Sequence, residues 1–163
     1  MGLGDPDYRI AFCIANRPAL DHYPTLDGMV PLAPGELNYI VANTSNHWRK
    51  LFSVYAKFMY QLGPQLDWPE RWQDYRDQFL LQPGSRTALL FSPPQGDSHK
   101  LHIVAGKTYA QSLNLSSLEW LDANFAVNSE SHIVVSPYLD YRQLSNERLD
   151  RLVQLIERYK MLR

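Results

Sequence analysis

Few groupings of residues in this chain could do chemistry, and most dissolve once spacing is applied. Ala105-Gly106-Lys107-Thr108 follows an apolar run and opens a helical pattern, as the end of a phosphate-binding P-loop does. That motif requires a glycine five residues before Gly106, so that backbone amides can wrap the phosphates, and Leu101 stands there. What survives is a helix start carrying Lys107, which can attract an anion. His99 and His102 are three apart, which in a strand sends them to opposite faces. No cysteine or carboxylate stands at a metal-binding interval from them, so neither a metal site nor a cofactor is expected. Ser136 with His132 lacks the Gly-x-Ser-x-Gly elbow that exposes a nucleophile. Cys13, the one cysteine, sits inside an apolar run as a small buried thiol does. Two polar stretches remain where apolar runs end: Asn16-Arg17-Pro18 and Ser136-Pro137-Tyr138.

These stretches must be positioned by the elements around them. Residues 8–15 form a nearly continuous apolar run, the pattern of a strand covered on both faces. Residues 16–35 then hold Pro18, Pro24, Pro31 and Pro34 with Gly28 and Gly35. An irregular segment of that length inside a domain is either functional or a surface wrap stiffened by its prolines. Cap residues at 43–46 precede a helix whose apolar face is Trp48, Leu51, Phe52, Tyr55, Phe58, Met59 and Leu62, closed by Gly63-Pro64. A second helix is expected from Asp67-Trp68-Pro69 to Pro83-Gly84, with Trp68, Trp72, Tyr75 and Phe79 on one side.

Strands follow at 86–91 and 101–105, joined by only nine residues. A parallel crossover usually takes about a dozen or more, so an antiparallel hairpin is the alternative there. Gly106 begins a short helix, and residues 116–128 suggest a small helix followed by an extended stretch. The run His132-Ile-Val-Val is a short strand stopped by Ser136-Pro137. The last helix starts at Ser145, an N-cap residue flanked by the Leu144 and Leu149 of a hydrophobic staple. Leu149, Leu152, Val153, Ile156 and Tyr159 give it one apolar face.

With 163 residues the chain fits one domain with a real core. A net charge of −1 argues against a generally basic nucleic-acid binder, leaving any such affinity to local placement of charge. No apolar run approaches the ~20 residues that span a bilayer. The first residues lack a signal-peptide pattern, and Pro6 stands where myristoylation needs Ser or Thr. The expectation is a cytoplasmic protein with no membrane association; oligomeric state is not encoded legibly.

Taken in order, these elements resemble the uracil-DNA glycosylase superfamily, in its mismatch-specific uracil glycosylase-like branch. That branch ends its first strand in a Gly-Ile-Asn-Pro-Gly loop; Ile14-Ala15-Asn16-Arg17-Pro18 is similar, with Arg17 inserted. Its Asn-Arg-Phe-Trp helix start is matched by Asn46-His47-Trp48-Arg49, one residue shorter. Its Gly-Lys-x-Ala turn is matched by Gly106-Lys107-Thr108-Tyr109-Ala110, and its final Pro-Ser loop by Ser136-Pro137 in reversed order. The water-activating Asp of the main branch has no counterpart in the first motif.

The resemblance implies a flipped base held between the Asn16 and Ser136 loops. Asn16 is then the catalytic candidate, orienting water or bonding the base. Phe12, Tyr23 or Tyr138 could stack on the base, although Phe12 lies within the strand. Asn46 and Ser136 are binding candidates, while Lys107 and Arg142 could meet phosphates. The fold expected is a single three-layer α/β domain with a mostly parallel sheet of about four strands and helices on both faces. The function expected is a nucleobase- or DNA-binding protein of glycosylase type, active or degenerate. The alternative is a non-catalytic protein-interaction domain, with a protein as partner.

Overall fold

The structure is a computed structural model that describes residues 1–97 and 99–162. Eight strands make one mixed sheet: β1 (Gly2–Gly4), β2 (Ile10–Cys13), β3 (Met29–Val30), β4 (Thr87–Leu90), β5 (Leu101–Ala105), β6 (Glu119–Trp120), β7 (Ala126–Asn128) and β8 (Ile133–Ser136). The helices are α1 (Glu36–Asn43), α2 (Asn46–Leu62), α3 (Trp72–Gln78), α4 (Lys107–Ser112) and α5 (Asn146–Arg158). The strand order is β3-β1-β4-β2-β5-β8-β7-β6.

The middle of the sheet follows the apolar runs. β2 lies between β4 and β5 and is parallel to both, and β8 extends the parallel set beyond β5. Every residue of these four strands is buried, which is why they read as continuous apolar runs rather than alternating ones.

The expected sheet of about four strands is therefore too small, because four more strands flank the parallel set. β1 runs antiparallel to β4 and carries β3 in parallel on its outer side. Gly2-Leu3-Gly4 looks unlike a strand because glycine has little strand preference. Here it is required: a Cβ on Gly4 would lie 2.5 Å from the Thr87 carbonyl oxygen, and Gly4 has φ +127°. On the other flank β7 and β6 form an antiparallel hairpin on β8, where a small helix and an extended stretch were expected. The Asp122 carboxylate makes that turn by accepting from the amides of Asn124 and Phe125 at 2.7 and 2.8 Å.

The hairpin alternative for the strands at 86–91 and 101–105 fails as well, since β2 separates β4 from β5. Ten residues, 91–100, run back along the sheet between them. Returning along four residues of strand is about 13 Å and passing one strand about 10 Å. An extended chain of that length spans up to about 33 Å, so the crossover needs no helix.

Helices cover both faces, but unequally. α1, α2, α3 and α5 share one core with Phe12, Ile103 and Val134. The α2 stripe is buried as its spacing requires, and the Phe12 ring meets Tyr55 at 4.7 Å and Phe58 at 5.4 Å between centroids. The Tyr55 hydroxyl is shared between the carbonyls of Ile10 and Ala88, at 3.2 and 2.9 Å, pinning α2 to the sheet. The other face presents small residues, Ala11, Cys13, Ala88 and Ala126, and the short α4 suffices to cover it with Leu113, Leu115 and Leu118.

Two helix starts differ from expectation. α3 begins at Trp72 rather than near Asp67, and Ser145 caps α5 in extended conformation without a side-chain hydrogen bond. The staple does form, with Leu144 and Leu149 both buried.

Candidate functional site

β4 and β5 lie on opposite sides of β2, so the chain leaving β2 and the chain leaving β5 turn apart at the carboxyl ends of these strands. Such a point of reversal leaves a crevice in open α/β sheets. The residues entering it come from four places: Asn16 after β2, Gly106 after β5, Tyr138 after β8, and His47 from the first turn of α2.

Asn16 stands at the head of a loop fixed by its neighbour. The Arg17 guanidinium donates to the carbonyls of Tyr23, Pro24 and Leu26 at 3.4, 3.0 and 2.8 Å, and lies 5.3 Å from the Phe91 ring centre. The residue that interrupts the Asn-Pro pattern is thus the one that folds the long proline-rich segment back against the sheet. It leaves the Asn16 side chain exposed toward the crevice.

Tyr138 is the centre of the cluster. A Cβ on Gly106 would sit 3.9 Å from its Cδ1, so the ring lies over the Gly106 backbone, whose φ of +99° suits glycine. The Tyr138 hydroxyl is 2.7 Å from His47 Nε2, and the two rings are within 16° of parallel. Burial pushes the Tyr138 phenol up to about 12, while the Asn16 amide directed at its oxygen pulls it down. Burial also lowers the His47 pKa; Asp140 opposes this and Lys50 reinforces it. Lys50 itself is 3.8 Å from the Asp140 carboxylate.

At neutral pH both rings are uncharged. The Asn16 N–H then donates to the Tyr138 oxygen, and the Tyr138 O–H donates to His47 Nε2, placing the imidazole proton on Nδ1. This is a directed chain of neutral donors and acceptors. It suits recognition of a polar planar group better than nucleophilic attack, for a phenol near 12 is scarcely ionised at pH 7.

The other expected site residues are engaged elsewhere. Ser136 is fully buried, and its hydroxyl donates to the Pro137 carbonyl at 2.9 Å. As the last residue of β8, paired with Ala105, it belongs to the sheet rather than to the crevice wall. Tyr23 is buried with its hydroxyl donating to Glu36 at 2.6 Å, so it braces α1. Asn46 is exposed and accepts from Arg49 Nε at 2.6 Å. Lys107 lies 5.2 Å from the Trp120 ring centre, beside the hairpin edge. Arg142 is exposed, its backbone amide bonded to Asp140. Phe12 is core.

His47 is the residue that sequence reasoning passed over. It lies between Asn46 and Trp48 in the recognised helix start, but nothing in its spacing points to a partner 91 residues away. Among the described residues no group of three or more His, Cys, Asp or Glu could hold a metal ion, and no helix is long and apolar enough to cross a membrane. No curated protein and no solved structure matches the chain. A family model does match, over residues 1–157, and on that span the chain belongs to the family of unknown function DUF6942.

Proposed function

We propose that the chain binds a nucleobase, free or within DNA, in the crevice at the carboxyl ends of the parallel strands, as a glycosylase-like protein that has kept recognition. The observation that carries this reading is the meeting of Asn16 and Tyr138 from opposite ends of the sequence, with His47 completing a hydrogen-bonded chain. A carboxamide that spends one N–H on Tyr138 still offers a second N–H and a carbonyl oxygen. That donor–acceptor pair complements the edge of a base held out of its stack. The fixed neutral state of the Tyr138–His47 pair supports recognition of an uncharged ring over attack on it. Asp140, the carboxylate near this cluster, is paired with Lys50, which favours binding without water activation.

The experiment is binding to uracil-containing and abasic duplex DNA at low and moderate salt, with release of free uracil followed in parallel. The expected result is salt-sensitive binding, weakened about tenfold by Asn16→Ala because a base-edge hydrogen-bond pair is lost. Absence of salt-sensitive binding to either duplex, together with no affinity for uracil itself, sinks the reading. The interaction-domain alternative draws on one observation: Trp120 is 38% exposed on β6, the outermost strand of the sheet. A sheet edge of this kind can accept a partner strand. Loss of binding in Trp120→Ala but not in Asn16→Ala would favour it.

A further inference from the structure

At the opposite end of the parallel strands, away from Asn16, the structure holds a cavity of about 720 Å³. It lies where β2 and β4 begin, enclosed by the end of α2, by α3, and by the loop 82–86. We propose that this cavity is a second ligand site, built for a small molecule with a flat aromatic body and a carboxylate. Its size falls within the range of small-molecule pockets, about 300–1,000 Å³.

The aromatic preference comes from the wall. Tyr75 is held between Trp68, at 4.3 Å between ring centres, and Phe79, at 6.0 Å and within 7° of parallel. Trp68 and Phe79 both line the cavity and stay partly exposed, so each keeps ring surface for a planar guest. The polar requirement comes from Tyr75 itself. It is 1% exposed, lines the cavity, and its hydroxyl has no hydrogen-bond partner. Buried hydroxyls are almost always satisfied, and a ligand oxygen would satisfy this one. The charge comes from Arg9 and Arg86, whose guanidinium groups outnumber the one lining carboxylate, Asp67. A guanidinium recognises a carboxylate through paired, charge-assisted bonds.

The test is calorimetric titration of the intact chain with 1-naphthoate, and with 1-naphthalenemethanol as its uncharged counterpart. Saturable one-to-one binding of the acid is expected, with the alcohol about tenfold weaker. Arg86→Gln should bring the acid down to the level of the alcohol, and Tyr75→Phe should weaken both. Gln78→Trp, on an exposed position of α3 that lines the cavity, should abolish binding while leaving the thermal transition in place. Asn16→Ala should bind the acid as the unaltered chain does, which separates this site from the crevice. Failure of either naphthalene to bind saturably overturns the proposal. So does binding that survives Gln78→Trp, which places the probe elsewhere, and so does equal affinity for acid and alcohol.

Discussion

His102 should make the protein lose stability on mild acidification, by an amount the structure sets. It is 2% exposed at the start of β5, with Nε2 2.8 Å from the Tyr8 hydroxyl and Nδ1 buried without a partner. Protonating it would bury a charge and add an N–H with nothing to accept it. Burial, with Lys100 adding and Asp97 opposing, accordingly lowers its pKa from 6.5 to about 4. Because the folded value is depressed, the unfolded chain takes up the proton first as pH falls below 6.5. The stabilisation is fully present above that value and lost on the way down to about 4. At 1.36 kcal/mol per pH unit the full loss is about 3 kcal/mol, of which about 2 kcal/mol is gone by pH 5.

The assay is urea unfolding of the unaltered chain and His102→Leu between pH 4 and pH 8. Carboxylates titrate in both proteins, so the difference between the two curves isolates the histidine. The gap in unfolding free energy should narrow or reverse by about 2 kcal/mol between pH 7.5 and pH 5. A gap constant with pH would refute the reasoning, and would mean that the imidazole is solvated or partnered in the folded protein.

Gly4→Ala should destabilise by more than about 2 kcal/mol, since both its φ and its approach to Thr87 exclude a side chain. Gly28→Ala, with nothing within 4 Å of the new methyl, should fall within about 0.5 kcal/mol of the unaltered protein in the same unfolding assay. Arg17→Ala should cost about 1–2 kcal/mol, because it releases three carbonyls that a single guanidinium gathers. Limited proteolysis of that variant should cut within residues 18–35, and resistance equal to the unaltered chain would deny the arginine its clamping role.

What was legible in the sequence was whatever a short window encodes. The four parallel strands are runs of apolar residues, and α2 and α5 are apolar stripes at helical spacing, so both kinds of element could be read locally. The loops after Phe12 and after Val135 were legible for the same reason, being polar breaks in buried runs. The flanking strands were not, because their evidence lies in other segments. Gly2 and Gly4 are explained by the backbone of β4, more than 80 residues on, and β3 by β1. In the site, the Asn16 and Tyr138 loops could be anticipated as strand ends. Ser136 could not be distinguished from a loop residue until its register with Ala105 put it in the sheet. His47 depends on the docking of α2 against the whole sheet, which no local pattern specifies.

The placement of β2 also has a consequence for how the chain is made. Its two neighbours are β4 and β5, so the strand at the heart of the sheet is synthesised long before either partner exists. From Cys13 to Thr87 is 74 residues, about 4–15 s of elongation at 5–20 residues per second. During that interval the ribosome has released β2 and the strongly amphipathic α2 with no sheet to receive them. The order of synthesis therefore obliges this protein to pass through a state with its most apolar strand uncovered, in which early β2–α2 contacts such as Phe12 on Tyr55 and Phe58 are the native shelter on offer. Substitutions at those rings should consequently lower the yield of soluble chain more than their effect on the finished fold accounts for.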